Sequence, residues 1–229
     1  MHDLPAFCVL ALVVSGCAEA AGDHCYRSAV GNKPVPWPKH PLTFDDLKNT
    51  IMNGSNVSRN YYEIYDRSPA PPLPILRKVV INWKFNSSGY INDYAGYNPS
   101  DGSCIKNYLE LRAVAGYTDL RFTFLSVFPT PENFTGTIFS SCPEKYHINF
   151  YCPSKNIIFE KTREVCSSNL RMSIYSHYGP NGLPWGAIAK DLCKNGSPPM
   201  EDPRWILTHD APTQCSFANS RRRRDIGLV

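Results

Sequence analysis

The chain has 229 residues, 12% of them aromatic and only 19% charged, with nine cysteines, twenty prolines and a formal net charge of +4. That length suits one domain or at most two, and the composition excludes a helical bundle in favour of strands and loops. Arg221, Arg222, Arg223 and Arg224 carry four of the positive charges, so the body is near neutral and lacks the basic folded face of a nucleic-acid binder.

Residues 4–16 (LPAFCVLALVVSG) form an apolar run too short to span a bilayer comfortably, and the small-residue pattern Ala18-Glu19-Ala20 follows it. Residues 1–20 are read as a signal peptide. Val14-Ser15-Gly16-Cys17 also fits a bacterial lipoprotein box, but five N-x-S/T sequons at Asn53, Asn56, Asn86, Asn133 and Asn195 favour a secreted eukaryotic glycoprotein. No later run has the length and apolarity of a transmembrane helix or a lipid-anchor tail, so an extracellular chain without an integral membrane segment is expected.

Residues 32–41 (NKPVPWPKHP) must be extended loop. Residues 44–52 have room for one or two helical turns. Strands are expected at 60–66, 78–85, 90–97, 104–114, 119–128, 135–142, 147–152, 156–161 and 170–178, with proline, glycine and asparagine turns such as 68–74 (SPAPPLP) and 98–102 (NPSDG) between them. In the second strand Ile81, Trp83 and Phe85 share a face with Val79. In the fourth, Tyr108, Glu110 and Arg112 oppose Leu109 and Leu111, and in the fifth Leu120, Phe122 and Phe124 oppose Arg121, Thr123 and Leu125. Short strands at spacings of about ten residues predict a sandwich or a barrel. Next, residues 183–193 (LPWGAIAKDLC) set Trp185, Ile188, Ala189 and Leu192 at helical spacing, and Gly196 and Pro198 end the helix. Residues 204–208 read as a last short strand before Cys215. Residues 218–229 are read as a basic disordered tail, with a processing site or an anionic-surface contact as the alternatives.

Cys8 and Cys17 lie in the leader. Cys25, Cys104, Cys142, Cys152, Cys166, Cys193 and Cys215 follow without a CxxC pair or zinc-site spacing, and read as long-range staples of a secreted domain. Six of them already allow 15 pairings. The seventh implies either an intermolecular disulfide or a buried free thiol.

No GxSxG, HExxH, P-loop or dinucleotide fingerprint occurs, and His40, His147, His177 and His209 have no ligand spacing. Neither an enzyme nor a metal or cofactor site is expected. An unrecognised secreted enzyme remains a rival reading, and it requires perturbed ionisable groups converging in a cleft.

The order of some eight strands, a helix, a short strand and a closing cysteine resembles the lipocalin family, in the branch that contains α1-acid glycoprotein and apolipoprotein M. The resemblance rests on residues 172–215, where IYSHYGP, a helix ending DLC, and RWILTHDAPTQC follow one another, and on residues 60–104, where NYYEI, a proline-rich loop, VVINWKF and GSC do so. Thr118-Asp119-Leu120-Arg121 and Ser140-Ser141-Cys142-Pro143 echo apolipoprotein M. Three family features are altered. Tyr61 stands for the tryptophan of the first-strand G-x-W, His177 stands for the arginine that packs on it, and the T-D-Y motif has no counterpart; a Tyr61–His177 contact would close the barrel base instead.

The resemblance implies an eight-stranded antiparallel up-and-down barrel over residues 21–217, with a C-terminal helix and a short added strand. It implies Cys104–Cys215 and Cys25–Cys193 bonds, with Cys142 bonded to Cys152 or Cys166 and one thiol left over. It also implies a calyx for a small apolar or amphipathic ligand of the lipid, steroid, lysophospholipid or toxin class. The candidate lining is Ile81, Trp83, Phe85, Tyr108, Glu110, Arg112, Phe122, Phe124, Phe150 and Met172. Glu110 and Arg112 either orient a polar ligand group or lie on a solvated face. The rival architecture is a glycosylated β-sandwich with a filled core and a protein partner.

Overall fold

The structure is a computed structural model and describes residues 33–68, 76–86, 89–126, 131–209, 215, 217 and 221–222. Among these, eight strands run antiparallel in chain order: β1 (Tyr61–Arg67), β2 (Arg77–Asn86), β3 (Gly89–Tyr97), β4 (Cys104–Ala113), β5 (Arg121–Ser126), β6 (Glu132–Phe139), β7 (Tyr146–Pro153) and β8 (Arg171–Ser176). Each pairs with the next, and β8 returns to pair with β1. The sheet therefore closes into the expected barrel, and closure rules out the two-sheet sandwich.

The alternation of β2 sets the inner wall. Val79, Ile81 and Trp83 are buried together with Tyr61, Leu111, Leu120, Phe122, Phe124, Ile138 and Tyr175. One end of this cluster is plugged by the helical segment predicted before β1. Thr43 starts it with a capping box: its hydroxyl accepts the Asp46 N–H at 3.0 Å, while the Asp46 carboxylate accepts the Thr43 N–H at 2.8 Å. The helix α1 (Phe44–Asp46) runs into a π-helical turn, Leu47–Ile51, whose Leu47 and Ile51 are buried with Met52 against the barrel interior.

A second cluster lies outside the wall. The helix α2 (Trp185–Lys194) lays Ala187, Ile188 and Leu192 on the outer faces of β7 and β8, against Ile148, Phe150, Met172 and Ile174. Each fully buried aliphatic side chain there contributes about 1.5–3 kcal/mol relative to exposure. The strand Trp205–Leu207 follows and pairs antiparallel with β1, placing Trp205 opposite Arg67. The strand expected at 156–161 is real but does not join the barrel. Ile157–Glu160 pairs with Arg163–Cys166, which in turn pairs with Val35–Pro36, in a separate small sheet. The Cys152–Cys166 disulfide holds that hairpin to the end of β7.

Cys104 is bonded to Cys215, the pair implied by the resemblance. The expected bond from Cys142 to Cys152 or Cys166 is corrected, because those two bond each other. Cys142 and Cys193 are also disulfide-bonded, so no thiol is left over among Cys142, Cys152 and Cys166. Cys25 and the signal peptide lie outside the described residues.

The tail expectation changes at two residues. β4 pairs with β5 only through Arg112 and Ala113, which leaves its edge open near Cys104. Arg221–Arg222, tethered nearby through Cys215, pairs in parallel with Ile105 and Lys106 on that edge. One sequon is also corrected. Asn195 is buried at the end of α2; its Oδ1 accepts the Lys39 and His40 N–H groups at 2.8 and 3.2 Å, and its Nδ2 donates to Asp191 O at 2.9 Å. A glycan on that nitrogen is incompatible with this packing. Asn53, Asn56 and Asn133 are exposed, and the Asn86 side chain is outside the described residues.

Candidate functional site: the barrel interior

Four of the ten candidate lining residues, Ile81, Trp83, Phe122 and Phe124, face inward and are buried. Phe85 shares their face but sits at the plugged end, 37% exposed, with its ring 4.9 Å from Tyr90. The other five are corrections. Leu109 and Leu111 carry the inner face of β4, so Tyr108, Glu110 and Arg112 project outward and are exposed. Phe150 and Met172 are buried outside the wall, beneath α2.

The inner faces of β7 and β8 are instead polar. His147, Asn149 and Tyr151 alternate with Ile148 and Phe150; Arg171, Ser173 and Tyr175 alternate with Met172 and Ile174. Sequence reasoning missed these residues, although the period-2 pattern that marks them is plain in HINFY and RMSIY. It assigned the apolar set to the interior, whereas the outer face is covered by α2 and is equally dry. A β-bulge completes the row. The pairing of β1 with β8 shifts between Ile174 and Tyr175, so Glu63 sits opposite Tyr175 while Asp66 sits opposite Ser173. Residues three apart on a regular strand point to opposite faces; the extra residue turns both carboxylates inward.

The polar row is partly paired. Asp66 accepts from Ser173 Oγ at 2.8 Å, Ser68 Oγ at 2.7 Å and Arg171 Nε at 3.3 Å. Tyr175 OH donates to Glu63 Oε1 at 3.0 Å, and Asn149 Nδ2 donates to Tyr151 OH. Other buried inward atoms have no hydrogen-bond partner: Glu63 Oε2, Trp83 Nε1, Asn92 Nδ2, Asn149 Oδ1 and both His147 ring nitrogens. Such atoms are rare in native interiors because each costs about 1–3 kcal/mol. Asp66 is fully buried, while 37% of the side chain of its partner Arg171 remains exposed.

Burial pushes the Glu63 carboxyl up to about 8, reinforced by the Asp66 carboxylate and opposed by Arg171. Burial pushes the Tyr175 hydroxyl well above its ordinary value. Burial, with His177 nearby, pushes His147 down to about 3, so its ring is neutral and stacks on Tyr175 at 5.4 Å.

The apolar wall opposite depends on a glycine. A Cβ at Gly136 would fall 2.7 Å from Tyr151 Cδ1 and 2.8 Å from Phe122 Cε2. Its absence lets those rings approach across β6, at 6.3 Å between centroids. At the plugged end, Tyr61 and His177 meet edge to face at 5.6 Å, the contact expected to replace the tryptophan–arginine pair, and His147 adds a second edge at 4.7 Å. Among the described residues, no group of three or more potential metal ligands converges, and no helix is long and apolar enough to cross a membrane.

No protein-family model matches the chain, and no curated protein matches it. Solved structures do. Lobster apocrustacyanin A1 is 13% identical over 84% of this chain and 98% of its own, with a TM-score of 0.51. Insecticyanin from the tobacco hornworm Manduca sexta is 14% identical over 84% of this chain and 96% of its own, with a TM-score of 0.52. Both are lipocalins, and at these identities the likeness is one of fold: the chain has the lipocalin fold, a closed eight-stranded antiparallel barrel with a C-terminal helix and an added strand.

Proposed function

We propose that this protein is a secreted, non-catalytic carrier that holds one small amphipathic molecule in its barrel. The observation that carries the reading is the divided inner wall. Ile81, Trp83, Leu109, Phe122 and Phe124 form an apolar side, and β1, β7 and β8 present a row of polar groups with unpartnered atoms. Ligand pockets have this composition, mostly apolar with a few convergent polar groups that fix orientation. The polar groups lack the geometry of a catalytic set: His147 has no hydrogen bond to a nucleophile or a carboxylate. The order β8, α2, added strand and Cys215, with Cys215 bonded to Cys104, supports the α1-acid glycoprotein and apolipoprotein M branch within the fold. The disulfides support export to an oxidising compartment, with glycans at the exposed Asn53, Asn56 and Asn133.

Mass spectrometry of small molecules extracted from the protein purified from a eukaryotic secretory host tests this reading. The expected result is one molecular class, enriched at close to one equivalent per chain and absent from a control secreted protein. Extracts indistinguishable from that control contradict it.

A further inference from the structure

Asn56 is an exposed sequon beside the plug, and the fold sets it opposite an aromatic ring. The segment that leaves the plug touches the barrel wall through one bridge, Val57 to Lys84 of β2. On either side of that bridge, the Phe85 N–H donates to Asn56 O at 2.9 Å and the Ser58 N–H donates to Trp83 O at 2.8 Å. Asn56 therefore stands directly opposite Phe85, as Ser58 stands opposite Trp83. Directly opposed residues of an antiparallel pair share a face, with Cβ atoms about 4.5–5.5 Å apart. On the other side of β2, Phe85 is opposed by Tyr90 of β3. Asn56, Phe85 and Tyr90 thus form one row across the plugged end.

The row is partly covered by the plug. Phe85 packs on Tyr90 at 4.9 Å, and Tyr90 meets Phe44 of α1 at 5.2 Å. Lys48 Nζ lies over the Phe85 ring at 5.7 Å. The rest of the row faces solvent: Phe85 is 37% exposed, and Asn56 is exposed beside it. A lone exposed aromatic residue is ordinary. An exposed ring one cross-strand step from a sequon asparagine is more specific, because the C–H face of a pyranose ring is apolar and packs on aromatic rings. We propose that Asn56 carries an N-linked glycan whose first N-acetylglucosamine packs that face on Phe85, extends the aromatic row and holds the plug in the barrel. This rests on the secreted-glycoprotein part of the reading above and assigns one of its glycans a structural seat.

Attachment forms a bond from Asn56 Nδ2 to C1 of the sugar. It breaks the bond from C1 to the lipid-diphosphate donor of the secretory pathway, and the amide proton leaves with that diphosphate. Only the first sugar lies within reach of the ring. Asn53, three residues earlier, sits in the turn that ends the plug, outside the row, and is the natural control.

Mass-spectrometric peptide mapping and thermal unfolding of the whole protein, secreted from a eukaryotic host with oligomannose glycans, test the inference. Asn56 is expected to be occupied. Asn56→Gln is expected to lower the thermal midpoint by about 2–4 °C, the shift that one aromatic contact gives a domain of this size. Asn53→Gln is expected to leave the midpoint unchanged. Trimming every glycan to its first sugar with an endoglycosidase is expected to leave it unchanged as well. In a Phe85→Leu background, which keeps an apolar side chain but removes the ring, Asn56→Gln is expected to cost nothing further. An unoccupied Asn56, an Asn56→Gln midpoint equal to that of the unmodified protein, or the same loss in the Phe85→Leu background overturns the inference. If Asn53 or Asn133 carries a glycan and Asn56 does not, the secreted-glycoprotein reading stands and this inference falls; if no sequon is occupied, both fall.

Discussion

Replacing Cys104 and Cys215 together by serine lowers the free energy of unfolding by about 4–5 kcal/mol. The bond closes a loop of 111 residues that contains most of the barrel and all of α2. In the chain-entropy account, a loop of that length removes about this much freedom from the unfolded ensemble. The native contacts are otherwise kept: Cys215 is buried against Val80 and Ala95, where serine fits sterically. Denaturant unfolding followed by circular dichroism reads the effect as a lowered midpoint with little change in slope. For a domain of this size, the thermal midpoint falls by on the order of 10–15 °C. A loss below about 1 kcal/mol would mean that the C-terminal segment is held without its tether.

Asp202→Ala costs about 3–5 kcal/mol by a different route. Arg67 and Asp202 are both 2% exposed, with Nε and Nη2 of Arg67 donating to Asp202 Oδ2 at 3.1 and 3.0 Å. Burial alone would raise the Asp202 carboxyl; hydrogen bonds from Arg204 and the Arg67 guanidinium outweigh it and hold the group at about 2. Removing the carboxylate strands a buried guanidinium, which is the costly half of any buried ion pair. The pair also fixes geometry, since Arg67 ends β1 and Asp202 precedes the strand that pairs with it. The double variant Arg67→Met, Asp202→Leu is expected to recover most of the loss, because an apolar pair of similar volume avoids the desolvation penalty. A double variant as unstable as Asp202→Ala would show that the charge pair itself, and not the stranded guanidinium, sets the cost.

Much of this fold was legible because local chemistry and tertiary packing agree. The segment KVVINWKF alternates cleanly, and its apolar face is the inner face of β2. The spacing of Ile188 and Leu192 marked the helix that packs outside β7 and β8. The contact of Tyr61 with His177 followed from aligning two altered family positions. The errors share one cause: alternation identifies two faces but not which of them is inside. On β4 the polar alternation suggests the lining, yet leucines point in and Tyr108 is 41% exposed. On β7 and β8 the apolar alternation suggests the lining, yet α2 covers that face, and the polar set His147, Asn149, Arg171 and Ser173 points in. Glu63 and Asp66 could not have been placed together at all, because the bulge that aligns them arises from the pairing of β1 with β8. Asn195 matched a glycosylation pattern that its burial as a helix-end acceptor overrides.

The proposed carrier function requires room for a ligand inside the barrel, against the inner face of β4 that Leu109 and Leu111 form, and fluorescence titration with N-phenyl-1-naphthylamine tests it most directly. Burying about 300 Å² of apolar probe surface at roughly 25 cal/mol per Å² is enough for micromolar binding. The unmodified protein is predicted to enhance probe emission saturably at one equivalent. Leu109→Arg, which places a charge on the inner face of the barrel, is predicted to abolish the enhancement, while Tyr108→Arg, one residue along on the outer face, leaves it intact. Absence of saturable binding by the unmodified protein, or equal damage from the two arginine variants, would contradict the account.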